Sequence, residues 1–179
     1  MSKAVEDLMH EHEAILFTLR VLDKMAGLAE AGKDPGREDA LALIAFLREF
    51  ADKCHHGKEE LILFPALEAA GIRNSGGPIG QMLAEHDAGR ALVGGMAAAL
   101  ERPDGFPAFA RAARDYAALL KAHIDKENTV LFPMGEKALG PAALAAVYER
   151  FEEHEEKVIG QGRHEELHAM LDGFEKKYL

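Results

Sequence analysis

Apolar residues recur at three- and four-residue intervals over long stretches of this chain, as in Leu8, Ile15, Leu19 and Leu22, the spacing that gathers one face of an α-helix. The pattern breaks at Gly32-Lys33-Asp34-Pro35-Gly36, at 71–78, at Arg102-Pro103-Asp104-Gly105 and at Phe132-Pro133-Met134-Gly135, all rich in the residue types that turns require. Four long helices are predicted, near 3–31, 37–64, 78–101 and 106–132. Their lengths and short connections suit an antiparallel four-helix bundle. Beyond Gly140-Pro141, two shorter Glu-rich helical stretches are expected near 141–157 and 163–178. The expected architecture is all-α: residues 1–140 form the bundle, and residues 141–179 an acidic helical extension packed on it.

Composition supports that picture and narrows the function. Val, Ile and Thr together number only 15 of 179 residues, too few for a strand-rich fold. The chain is long enough for one domain with a substantial core. With 21 Lys+Arg against 31 Asp+Glu the net charge is −10, which disfavours nucleic acid and anionic membranes as partners. A single cysteine, Cys54, excludes an internal disulfide or a CxxC knuckle and fits a reducing cytoplasm. No N-terminal secretory pattern is seen, and no apolar run approaches the ~18 residues of a membrane span. A cytoplasmic protein is expected. Nine histidines in such a chain call for an explanation.

An internal repeat supplies one. The segment His55-His56-Gly57-Lys58-Glu59-Glu60-Leu61-Ile62-Leu63-Phe64-Pro65 recurs 68 residues later as His123-Ile124-Asp125-Lys126-Glu127-Asn128-Thr129-Val130-Leu131-Phe132-Pro133, with six of eleven positions identical. The shared pattern is H-x-x-K-E-x-x-x-L-F-P. A weaker echo pairs Glu11-His12 with Glu85-His86. Residues i and i+4 share a helix face, so His55/Glu59 and His123/Glu127 each present an imidazole beside a carboxylate. A lone pair of this kind is ordinarily a solvated surface feature worth a few tenths of a kcal/mol. Two copies with the same lysine and the same ending argue for a site. If His12 and His86 also turn inward, four imidazoles and two carboxylates meet at one level of the bundle. Such a set, without thiolate, suits iron, with manganese or zinc as substitutes. Two six-coordinate ions need about twelve positions; four His, two bridging Glu and a bridging oxygen fill about ten, leaving about two for an exogenous molecule. The Phe-Pro endings read as helix stops, with the proline unable to continue the helix and the phenylalanine plugging the bundle end.

In this order and spacing, the residues from about Leu8 to Pro133 resemble the hemerythrin-like, or HHE cation-binding, family. The resemblance implies a di-iron centre, carboxylate- and oxo- or hydroxo-bridged, with ligands His12, His55, Glu59, His86, His123 and Glu127, the two glutamates bridging. Oxygen-carrying hemerythrins have a further histidine where this chain has Arg90, and end in H-x-x-x-x-D where it has His123-x-x-x-Glu127. The four-His, two-Glu set looks more like bacterial proteins associated with repair of iron centres under nitrosative and oxidative stress. Those usually also carry a cysteine-containing N-terminal domain. The resemblance implies a protein that binds or senses O2, NO or peroxide. Alternatives are an iron store or donor for iron–sulfur repair, or an enzyme consuming peroxide or NO.

The remaining candidates are placed as follows. His10 and His56 lie about 200° and 100° round the helix from their neighbouring ligands, predicting surface or ligand-supporting roles. A shifted register would pair His56 with Glu60, but the aligned Leu-Phe-Pro favours His55/Glu59. Tyr116, two turns before His123, can serve either as a core residue or as a hydrogen-bond partner of a ligand. Arg90, one turn after His86, can pair with a ligand carboxylate or remain a surface cation. Leu16, Leu63, Leu119 and Leu131, one turn from ligands, are expected to keep the pocket dry, favouring a diatomic or peroxide over a charged substrate. His164-Glu165-Glu166-Leu167-His168 matches the zinc-protease pattern H-E-x-x-H, but nothing in the sequence supplies a third ligand or a cleft, and it reads as coincidence. Cys54 reads as a small buried residue.

Overall fold

The computed structural model describes residues 1–160 and 162–179; the side chains of His164, Glu165 and His168 are not described, so the H-E-x-x-H sequence lies outside the described residues. Helix α1 spans Lys3–Glu30 and begins where the Val5 N–H donates to the Ser2 hydroxyl, an N-cap that satisfies one of the orphan amides of the first turn. The second rod starts at Gly36, whose φ of 78° suits glycine, and runs through α2 (Arg37–Phe46), a π-helical segment π1 (Leu47–His56), a second, π2 (Glu59–Leu63), and α3 (Phe64–Ala69). Helix α4 (Pro78–Leu100) has Pro in its first turn, where a missing N–H costs nothing. The fourth rod joins α5 (Phe106–Lys126), π3 (Glu127–Leu131) and α6 (Phe132–Val158), and α7 covers Arg163–Tyr178. The bundle is all-α, as the periodicity predicts, and α5 packs against both α1 and α4.

The Phe-Pro pairs do not stop their helices. Pro65 and Pro133 stand in the first turns of α3 and α6, and both rods continue through them. The cause lies immediately upstream: π2 and π3 begin at Glu59 and Glu127 and end at Leu63 and Leu131, each the same step before Phe-Pro. Their wider i→i+5 turns, seen in the Phe64 N–H donating to Glu59 and the Phe132 N–H to Glu127, absorb the disruption that a proline imposes on an α-helical ladder. The break instead falls at Gly140, with φ of 73°, followed by Pro141, which kinks α6.

After the kink, α6 lies back against the bundle through Leu144, Val147 and Phe151, and α7 buries Leu167, Leu171 and Phe174. Within Phe106–Val158, which joins α5, π3 and α6 and is kinked at Gly140, one helical window is long and apolar enough, by length and composition alone, to cross a membrane. The core helix of a soluble protein passes the same test.

Two apolar clusters divide the interior. One holds Ile15, Leu19, Phe50, Phe109, Tyr116 and Ile124 among others. The second holds Leu8, Leu63, Phe64, Leu67, Phe132 and Phe151. Along α1 the sequence passes from Leu8 in the second to Ile15 in the first, and His12 lies between. The polar layer is therefore sandwiched between two dry regions, where unpaired polar atoms are costly.

Candidate metal centre

The repeat residues converge at that layer. His12, His55, Glu59, His86, His123 and Glu127 are each 0–1% exposed. Glu59 lies between two groups of imidazoles: Oε1 is 3.7 Å from His55 Nε2 and Oε2 is 3.4 Å from His86 Nε2. Glu127 Oε2 stands 3.3 Å from His12 Nε2 and 3.2 Å from His123 Nε2. Two sets of donor atoms result, each within 4.8 Å of one another: His12, His55, Glu59 and Glu127, and His56, Glu59, His86 and His123. Each carboxylate thus faces imidazoles from more than one helix.

The outer nitrogens explain why the sequence repeats more than the central His and Glu residues. His55 Nδ1–H donates to Glu11 at 2.8 Å, and His123 Nδ1–H to Glu85 at 2.8 Å. So the Glu of each Glu-His pair orients the histidine of a different helix. Lys58 then bonds Glu11 at 2.9 Å, and Lys126 bonds Glu85. The residue after each central glutamate completes the pattern: Glu60 accepts from His86 Nδ1 at 2.7 Å and Asn128 from His12 Nδ1 at 2.9 Å. Every one of the four imidazoles is thereby fixed in the tautomer that turns Nε2 inward, the arrangement metal-ligating histidines adopt.

What remains inside is unpaired. Among the described residues, the buried side-chain atoms without a hydrogen-bond partner are His12 Nε2, His56 Nε2 and both oxygens of Glu59 and Glu127. All lie in this layer. His86 Nε2 and His123 Nε2 face each other at 3.1 Å, lone pair toward lone pair unless a proton or a cation intervenes. A cluster that leaves only acceptor atoms pointing at a common space in a dry interior fits divalent cations, and its mixture of imidazole and carboxylate suits iron, manganese or zinc.

Electrostatics agree. Burial opposes charge on His86, but Glu59 and Glu60 outweigh it and raise its pKa to about 9. Burial likewise opposes charge on His12 and His123, and Glu127 outweighs it in both. His55 and His56 are pushed by burial down to about 3 and stay neutral.

His56 departs from expectation. It is 4% exposed, its ring stacks on His86 with centroids 3.8 Å apart, and it faces the layer instead of lying off to one side. The reason is π1: a wider turn brings consecutive residues closer in angle than the ~100° of an α-helix, so His55 and His56 both point inward. The neighbouring Glu60 is outside, as a partner of His86 Nδ1. Arg90 pairs with neither Glu59 nor Glu127; it bonds Asp52 at 2.8 Å, Glu60 at 2.6 Å and Asp87 at 3.0 Å. Tyr116 is buried in the wall of a cavity shared with His56 and Arg90. Leu63 and Leu131 are buried as expected, whereas Leu16 and Leu119 are half-buried; the rings that cover the layer are Phe132, stacked on His12 at 5.6 Å, and Phe64, on His86 at 5.9 Å. His10 is exposed beside Glu13.

Lys58 and its neighbours were not marked out by the sequence as a functional group. Its ammonium bonds Asp7, Glu11 and Glu155 at 2.9, 2.9 and 2.7 Å, filling the space among Glu11, Cys54 and Glu155. Glu155 comes from α6, so the C-terminal extension is linked through Lys58 to Glu11, the carboxylate that braces His55. Burial pushes the Cys54 thiol up, leaving it a poor nucleophile.

A model of the hemerythrin HHE cation-binding domain matches residues 3–135. Among curated proteins, uncharacterised proteins of Mycobacterium bovis and Mycobacterium tuberculosis are each 28% identical over 166 residues, covering 88% of this chain. The chain spans 63% of the length of those relatives. No solved structure matches. The matched residues contain the whole His and Glu layer and both copies of the repeat, and the chain belongs to the hemerythrin HHE cation-binding domain family.

Proposed function

We propose that this chain is a non-haem di-iron protein that binds or senses O2, NO or peroxide. His12, His55, Glu59, His86, His123 and Glu127 would hold the ions, with Glu59 and Glu127 shared between them. The observation carrying this reading is the set of unpartnered buried donor atoms, all in one layer, with the outer nitrogen of every imidazole already engaged. Two iron ions would supply open coordination positions and accessible redox states. The protein's own part is to fix the donors and to keep water away with Phe64, Phe132, Leu63 and Leu131. A buried, apolar surround favours a small neutral ligand over a charged substrate. The reading places the protein in the cytoplasm.

Anaerobic titration of the metal-free protein with Fe(II), followed by visible spectra before and after O2 or NO, tests this. Two ions per chain and stable, reversible adducts are expected. Fewer than two ions, or full metal retention after His55→Ala together with His123→Ala, overturns it. Steady consumption of peroxide would assign turnover in place of sensing.

A further inference from the structure

We propose that His56 is a fifth imidazole ligand, making the centre asymmetric: His56, His86 and His123 serve one ion, while His12 and His55 serve the other. This rests on the two-ion reading above and goes beyond the six residues of the repeat. His56 Nε2 lies in the same donor group as Glu59, His86 and His123, is buried, and has no hydrogen-bond partner. Its Nδ1 faces Asp52 at 3.4 Å, and Asp52 is held by Arg90 at 2.8 Å, so the ring is oriented like the other four, Nε2 inward. A histidine that merely filled the core would find partners for both ring nitrogens, whereas here Nδ1 is engaged and the buried Nε2 is not.

The repeat shows that this is an addition. Position 124, which corresponds to His56 in the second copy, is Ile124, and that copy has no long π segment ahead of it; π1 covers ten residues, whereas the second copy has only the five-residue π3. The extra imidazole therefore arises from a local change in helix winding on one rod. Arg90 is part of the same device. It holds Asp52 behind His56 and Glu60 behind His86, bracing two rings of the three-histidine ion at once.

A cavity of about 350 Å³ reaches His56 from outside, lined in part by Asp52, Gly89, Arg90 and Tyr116. It makes a rescue experiment feasible, because removing the ring extends an existing space into which free imidazole fits. The full chain is stripped of metal and titrated anaerobically with Co(II), with stoichiometry and stepwise affinity measured for the unaltered protein, His56→Gln and His56→Gly. Paramagnetic proton NMR of the loaded unaltered protein counts the exchangeable, shifted imidazole N–H signals.

Five such signals are expected, and His56→Gln is expected to bind the first ion normally and the second at least about tenfold more weakly. Imidazole should restore the second step in His56→Gly. Four signals in the unaltered protein, or two ions bound by His56→Gln with unchanged affinity, overturns the assignment and leaves the two-ion reading intact. Fewer than two ions in the unaltered protein refutes the two-ion reading, and this inference with it. If the variants do not fold, the signal count in the unaltered protein decides alone.

Discussion

Replacing Lys58 by methionine tests whether the bracing of His55 is as important as the geometry indicates. The ammonium is fully buried and bonds three carboxylates, of which Asp7 and Glu155 keep 24% and 29% of their side-chain surface in contact with solvent, while Glu11 keeps 6%. Water recovers much of the charge on the first two when the lysine is lost. Glu11 has no such recourse, and burial already raises its pKa against the pull of Lys58. Removing one partner of a buried pair costs about 3–5 kcal/mol, and the partial exposure of the other carboxylates places Lys58→Met near the lower end. For a domain of this size, 3 kcal/mol lowers Tm by roughly 6–12 °C. Lys126 is the internal control. It bonds Glu85 in the same way, but its side chain is 40% exposed, so Lys126→Met should cost less than about 1 kcal/mol. Thermal and urea unfolding of the metal-free proteins at neutral pH, followed by circular dichroism, provide the comparison. Adding Glu11→Gln to Lys58→Met should recover part of the loss, because no buried carboxylate is then left without its cation. Equal effects of the two lysine variants, or a loss below 1 kcal/mol for Lys58→Met, would refute the argument.

The donor layer makes further predictions. Glu59→Ala should abolish stable metal binding, whereas Glu60→Ala, which removes only the acceptor behind His86, should weaken it by about 10–100-fold; competition with a chelator measures both. Metal uptake should release protons. His86 is raised to about 9 in the metal-free chain, so below that pH an ion must displace its proton, and apparent affinity should rise with pH until about 9 and then level off. His55 and His56, lowered to about 3, contribute no release above about pH 4; calorimetry in buffers of different ionisation enthalpy counts the protons. Gly57→Ala should change stability by less than about 1 kcal/mol: the added Cβ would lie 2.6 Å from His154 Nε2 and push that half-exposed ring off the Lys53 carbonyl, while alanine at this helical position, with φ of −61°, regains about 0.5–1 kcal/mol. A loss of several kcal/mol in urea unfolding would show that α6 cannot yield there.

The helices were legible because each buries one face, and burial of that kind writes itself into the 3.6-residue spacing of apolar residues such as Leu8, Ile15 and Leu22. The six central residues were legible for a different reason: the duplication displays them twice, and chance does not repeat a spacing. Helix winding was not legible. The 100° rule places His56 on the flank of the rod and makes Pro65 and Pro133 helix stops, and both expectations fail where the chain adopts i→i+5 bonding. Nothing in local propensity marks those turns. The bracing residues were present in the aligned repeat all along. Glu11 and Glu85, Lys58 and Lys126, and Glu60 and Asn128 stand at matching positions, and asking what each could donate to or accept from would have suggested outer partners for four imidazoles. Side-chain direction across helices, which periodicity along one helix does not contain, was needed to connect Glu11 to His55 and not to its neighbour His12.

Where the two copies differ, the differences act on the same centre. Behind His86 stands a carboxylate, Glu60, where behind His12 stands the neutral amide of Asn128. An anionic acceptor makes the imidazole it holds a stronger electron donor than an amide does. Lys58 is sealed among three carboxylates that include Glu155 of the C-terminal extension, while Lys126 has only Glu85 and stays half in solvent. Position 56 carries an imidazole and position 124 an aliphatic side chain. Each change leaves the inward donor atoms of the repeat in place and alters charge, rigidity or donor number behind one side. Exposed positions such as Leu61 and Thr129 have diverged between the copies, and so has the buried pair His56 and Ile124 beside the layer. Two ions held in these surroundings would be chemically unlike. An inequivalent pair is what a site needs if one ion is to remain fixed by protein donors while the other takes up an exogenous molecule.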